Sequence, residues 1–263
     1  MSALDEAFAL LTPDRLLRDP VADGRGIRVA IVDSGVDCSV LSNRHPGHEP
    51  IESFTFRGAN PQAVAHSGPP SSPHGTTVAD IVLKLAPRVT LLSLDVFGPS
   101  GGEVDAVVAA IRFAIATGHA HIVNLSLGIA ERTLQIVPKR HALYRAIEEA
   151  YYADITVVAA ANNDHPFAVS YPAGFGPPLL GVDKGLFDDP LQFAYEVREK
   201  VEFKAHGRGD LGPFAREPAT SWATPHVSGI IAKLLSLKPD LKPFEVKSIL
   251  YRLSNRTITT PES

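Results

Sequence analysis

The chain has 263 residues, 44% of them hydrophobic, which is enough for one large core. Its 29 acidic and 25 basic residues leave a formal net charge of -4 with no basic block, which argues against a nucleic-acid partner. The single cysteine, Cys38, excludes an internal disulfide and any metal site built from several cysteines.

The opening stretch, MSALDEAFALLTPDRLLRDP, has no basic n-region and no long apolar h-region. It predicts no signal peptide, and residues 3–11 predict one helix. With the lone cysteine, this points to a cytoplasmic setting. The one stretch that resembles a membrane span, 104–118, is broken by Asp105 and Arg112, so no membrane is expected. No polar, Pro/Gly-rich seam divides the chain, so residues 1–263 read as one domain.

Five apolar runs follow in chain order: IRVAIV at 27–32, VTLLSLDV at 89–96, HIVNLSL at 121–127, ITVVAAA at 155–161 and PLLGVD at 178–183. Runs this continuous in Leu and β-branched residues suit strands buried on both faces. Helical spacing appears at 75–86, 103–117 and 139–152, and twice more at 221–237 and 243–254. Alternation of this kind predicts a three-layer α/β fold, a mostly parallel β-sheet flanked by helices. Two stretches rich in turn formers, 57–73 and 205–218, read as loops.

Three positions carry candidate chemistry. Asp33 ends the first apolar run and precedes Ser34-Gly35. An acid at the carboxyl end of a parallel strand faces the ligand crevice, where it can orient a histidine; Asp-Ser-Gly is also ordinary turn chemistry. His74 opens a helix whose apolar face is Val78, Ile81, Val82 and Leu85. A neutral imidazole there serves as a general base near neutral pH, or as a plain cap. Ser221 lies in the first turn of an apolar helix, ATSWATPHVSG, where the amides and dipole favour negative charge. Pro225 fits because it lies early in that helix. His45 and His48 lack an evident third ligand for a metal. Arg-Gly-Asp at 208–210 reads as a chance tripeptide in a Gly-rich loop.

Together, D-S-G after a strand, H-G-T at a helix start and T-S-x-A-T-P-H at a later helix start resemble the subtilisin family of serine proteases. They occur in the order Asp, His, Ser, at gaps of 41 and 147 residues, and the similarity runs from about Gly26 to Leu237. The resemblance implies a serine endopeptidase with Asp33, His74 and Ser221 as catalytic triad and Asn163 as side-chain oxyanion donor. It implies a substrate strand at Ser126, Leu127 and Gly128, and a pocket shaped by Ala160, Ala161, Asp164 and Ser170. Asp164 at the rim suggests tolerance for a basic side chain before the cut. The expected partner is a peptide or protein substrate, in the cytoplasm a specific precursor; the rival reading is an inactive relative that binds extended peptides. No cofactor and no metal are expected. The family's calcium loop has no room between Leu85 and Val89, and the residues before the first strand are too few for the family's prodomain.

Four positions depart from the family pattern. Ala219 replaces a glycine and predicts crowding or an altered backbone. Trp222 replaces a methionine and predicts a narrowed leaving-group side. Asn162 replaces a glycine, with a left-handed backbone expected. Thr77 stands where a second histidine is common.

Overall fold

The computed structural model describes residues 6, 8–98, 101–163, 169–198 and 201–254. Of the helix expected over 3–11, residues 6, 8 and 9 are helical. In chain order the main elements are α1 (Pro13–Leu16), β1 (Arg28–Asp33), α2 (Cys38–Arg44), β2 (Glu52–Phe56), β3 (Ala63–Ala65), α3 (His74–Leu85) and β4 (Thr90–Asp95). A small hairpin, β5 (Phe97–Gly98) with β6 (Gly101–Gly102), leads into α4 (Val104–Ala116) and β7 (Ile122–Leu125). Then come β8 (Ile129–Ala130), α5 (Val137–Tyr152), β9 (Thr156–Ala160), β10 (Ser170–Tyr171), β11 (Leu180–Gly185), β12 (Phe193–Arg198) and β13 (Val201–His206). Helices α6 (Thr220–Leu237) and α7 (Pro243–Leu253) follow.

Nine strands form one sheet in the order β12-β13-β11-β9-β7-β1-β4-β2-β3. The inner seven run parallel, and β12 and β3 close the two edges antiparallel. The central strands β1, β4, β7 and β9 are largely apolar because both of their faces are covered. Alternate side chains of β1 divide between the faces: Val29 and Ile31 enter one core, Ala30 and Val32 the other. The first core takes Val78, Ile81 and Val82 of α3, Val227, Ile230 and Ile231 of α6, and Val246 and Leu250 of α7. The second takes Val107 and Ile111 of α4 and Leu143 and Ile147 of α5. The three-layer, mostly parallel architecture is as the sequence predicts, and each of the five apolar runs is a strand.

Ten of these elements were not anticipated: α1, α2, β2, β3, β5, β6, β8, β10, β12 and β13. The last of these, VEFKAH, buries only alternate residues, Phe203 and Ala205. Strands near a sheet edge need one apolar face, so a search for continuous apolar runs passes over them. The stretch 57–73, read as loop, contains β3, and 205–218 contains the end of β13.

Candidate active site

The three candidate residues meet at the carboxyl ends of the parallel strands. Asp33 is the last residue of β1, His74 the first of α3 and Ser221 the second of α6. Parallel strands place such ends on one side of the sheet, where loops and helix N-termini converge.

Asp33 is buried, 1% exposed, and its carboxylate faces the imidazole: His74 Nδ1 lies 2.9 Å from Oδ1 and 3.1 Å from Oδ2. A carboxylate only accepts hydrogen bonds, so Nδ1 carries the proton and Nε2 keeps the lone pair. The Ser34 N–H also donates to Asp33 Oδ1, at 2.7 Å. The Ser34 hydroxyl accepts from the Gly75 N–H at 3.1 Å, which ties the first turn of α3 to the end of β1. Gly75 is needed for this approach: a Cβ there would stand 2.3 Å from the Gly35 carbonyl oxygen. Burial pushes the His74 pKa down, but the charge of Asp33 and its hydrogen bond push harder, and the net direction is up.

The start of α6 is built without a side-chain cap of its own. Ala219, in the N-cap position, is extended (φ -139°, ψ 148°) and offers no side-chain oxygen. Asn163 Oδ1 replaces it, accepting the Thr220 N–H at 3.1 Å. Lys184 Nζ donates to the same Oδ1 at 3.0 Å and to the Asn163 carbonyl at 2.8 Å. Both partners are donors, so they fix which end of the amide is the oxygen.

Pro225 lacks an N–H, so no bond of the helical ladder reaches the Ser221 carbonyl. That carbonyl instead accepts the Ser126 hydroxyl at 3.0 Å. Ser126 Oγ is held in turn by Asn124 Nδ2 at 2.9 Å, and Asn124 Oδ1 accepts Ser228 Oγ at 2.9 Å. Strand β7 and helix α6 are therefore joined by a buried polar chain that ends at Ser221. The Ser221 hydroxyl donates over a long 3.3 Å to the Ser126 carbonyl.

Of the expected substrate residues, Gly128 stands beside Ser170. A Cβ on Gly128 would meet Ser170 Oγ at 2.4 Å, and Ser170 pairs through β10 with Ala130 of β8. Leu127 and Ala160 are buried, and the Ala161 carbonyl accepts Thr220 Oγ1 at 3.0 Å. Asp164 lies outside the described residues.

Three expectations for the departures are corrected. Ala219 has an extended backbone open to any residue, and its methyl packs against the core. Trp222 does not narrow an open groove: it is 6% exposed, packed in the core, with its indole 4.8 Å from the His74 ring, centroid to centroid. Asn162 is not among the left-handed non-glycine residues, which are His119 and Asp154 among those described. Thr77 bonds instead to the Leu211 carbonyl, at 3.0 Å. His45 and His48 do not converge: His45 Nε2 contacts Asp80 Oδ1 at 2.8 Å, while His48 contacts the Glu49 carbonyl and Ser42. Among the described residues no group of three or more His, Cys, Asp or Glu could hold a metal. In the tripeptide at 208–210, Asp210 is ion-paired with Lys84.

Sequence reasoning missed Ser34, Asn124, Asp95 and Lys184. Asn124 carried a signal, as the one amide in the apolar run HIVNLSL. Asp95, the register partner of Asp33, accepts Ser71 Oγ at 2.7 Å and so anchors the loop before His74. Lys184 lies near the end of β11, just past the apolar run read at 178–183, and has no local signature.

Comparison with known proteins places the chain in a family. Subtilisin DY of Bacillus licheniformis is 28% identical over 248 residues, spanning 86% of this chain and 83% of the relative. The intracellular serine protease of Paenibacillus polymyxa is 28% identical over 238 residues, spanning 81% of this chain and 68% of the relative. Among solved structures, sphericase shares the fold at a TM-score of 0.70 and 24% identity, covering 90% of this chain and 87% of its own. The Subtilase family profile matches residues 24–182 and 202–261, and the chain accordingly belongs to the subtilase family of serine endopeptidases.

Proposed function

We propose that Asp33, His74 and Ser221 are the catalytic triad of this endopeptidase and act by acyl transfer. The observation that carries the proposal is the Nδ1–carboxylate pair, which leaves the His74 Nε2 lone pair to serve as the base. Ser221 Oγ attacks the scissile carbonyl carbon while Nε2 takes its proton. The oxyanion so formed meets the Asn163 N–H2 and the backbone N–H of Ser221 at the positive end of α6. The C–N bond then breaks, the imidazolium gives its proton to the leaving amine, and water releases the acyl group by the same steps in reverse order. Asp33 holds the tautomer and balances the imidazolium.

The substrate is an extended peptide segment. The Ser126 carbonyl that now accepts the Ser221 hydroxyl lies just past the end of β7. A peptide N–H pairing there as an added strand displaces that hydroxyl and frees it for His74. The narrower reading, maturation of a specific precursor, follows from the expected cytoplasmic setting and is decided by substrate profiling.

The decisive experiment is labelling with a fluorophosphonate probe, read by intact mass, on wild type and Ser221→Ala. One adduct in wild type and none in the variant is expected. No adduct on folded wild type would mean an unassembled triad and favour a peptide-binding role.

A further inference from the structure

Trp222 follows the proposed nucleophile, yet its side chain turns inward and covers one face of His74. The ring centroids are 4.8 Å apart at an interplanar angle of 33°, a tilted face-to-face contact. The indole is buried, and its Nε1 has no hydrogen-bond partner. A buried N–H without a partner is unfavourable, and a phenylalanine or leucine would fill the core without it. The contact with His74 gives the residue a different role.

Resting on the triad assignment above, we propose that Trp222 is a positioning residue of the active site: its indole face fixes the His74 ring against Asp33 and favours the imidazolium that forms during acyl transfer. The geometry supplies both parts. Nδ1 is held at its edge by Asp33, which leaves rotation and tilt of the ring to be restrained from its face. The negative face of an indole attracts a cation lying over it, and indole is the strongest of the aromatic side chains in this respect. The groups facing His74 are few. Asp33 approaches from β1, Ser72 Oγ accepts the His74 N–H from the preceding loop, and α6 contributes Ser221 and Trp222. Asp33 is the one charged group among them, so an effect of Trp222 is separable from other electrostatics.

The test compares Trp222→Phe, which keeps an aromatic face, with Trp222→Leu, which keeps burial and removes the face. Histidine ring signals are followed by NMR against pH, with His74→Asn assigning the His74 resonance, and kcat/KM is measured alongside. For Trp222→Leu the His74 midpoint is expected to fall by about half to one pH unit, with kcat/KM lowered about 3- to 10-fold. Trp222→Phe should stay within about 2-fold of wild type, since phenylalanine retains most of the face. Should Trp222→Leu fail to fold, Trp222→Met fills the same space without a ring and takes its place. An unchanged His74 midpoint in the face-free variant overturns the proposal, as does a phenylalanine variant indistinguishable from it. If wild type takes no fluorophosphonate but the midpoint still shifts, the hydrolase mechanism fails and the stacking role stands.

Discussion

At the scale of single residues, the proposed oxyanion role of Asn163 depends on how its amide is oriented. Two donors, the Thr220 N–H and Lys184 Nζ, grip its oxygen, and that grip aims the N–H2 end. Asn163→Ala should lower kcat by about 100- to 1000-fold with little change in KM, the magnitude associated with this donor in subtilisin itself. Lys184→Met removes one of the two grips and leaves the donor. We expect kcat to fall about 10-fold, in keeping with small misplacements of catalytic groups. The double variant should be no worse than Asn163→Ala alone, because Lys184 acts only through that amide. Steady-state kinetics on the three variants check this, and additive losses would mean that Lys184 contacts substrate by another route.

Among the elements, the loop that precedes α6 is held by a charged cluster rather than by packing alone. Asp80 of α3 is fully buried and accepts Arg44 Nε of α2 at 2.8 Å and His45 Nε2 at 2.8 Å. Lys84, one turn along α3, bridges from Asp80 to Asp210 in the loop. Burial pushes the Asp80 carboxyl up, but bonds from Arg44, His45 and Lys84 outweigh it, and the net direction is down. Asp80→Asn would strand the cations beside a neutral amide, and a loss of about 3–5 kcal/mol in unfolding free energy is expected. Because the carboxyl is lowered in the fold, its contribution is present above the ordinary carboxylate range and is lost as pH falls through it. Urea unfolding of wild type and Asp80→Asn at neutral pH measures the difference. A loss within 1 kcal/mol, about what an exposed ion pair contributes, would show that the cluster is solvated.

The same elements show what was legible beforehand. The inner strands, the helices that cover them and the meeting of Asp33 with His74 follow from apolar runs and from three short motifs. The cluster at Asp80 was hidden, because Arg44, His45, Lys84 and Asp210 come from three segments and converge only through folding. Trp222 was visible as an unusual residue but was assigned the wrong direction. Helical spacing places position 222 one step past the nucleophile without saying that its side chain turns into the core. The partnership of Ser126 Oγ with the Ser221 carbonyl could have been foreseen: Pro225 cannot supply the N–H that would otherwise bond there.

For the whole molecule, two histidines set two separate acid responses. His74 lies above its ordinary value, so loss of the neutral base begins above the usual histidine range as pH falls. His226, inside α6, is shifted the opposite way, to about 4: burial is the largest cause, opposed by its bond to the Trp222 carbonyl and reinforced by nearby His206. Its ring donates from Nδ1 to that carbonyl at 2.8 Å. In the unfolded chain the same group takes a proton near its ordinary value, so the unfolded state binds more protons across the window from about 6.5 down to about 4. Stability is therefore full above this window and falls as pH descends through it, by up to about 3 kcal/mol. His226→Leu should flatten the dependence of unfolding free energy on pH between 7 and about 4, relative to wild type. Denaturant titrations across that range give the two slopes, and equal slopes would assign the acid sensitivity to other groups. The order of the two midpoints has a functional consequence. As pH falls, the proposed base at His74 takes up its proton before His226 does, so activity is expected to fall ahead of this contribution to stability. A jump from about pH 6 back to 8 should restore full rate at once, whereas a jump from below about 4 should restore it only as the chain refolds.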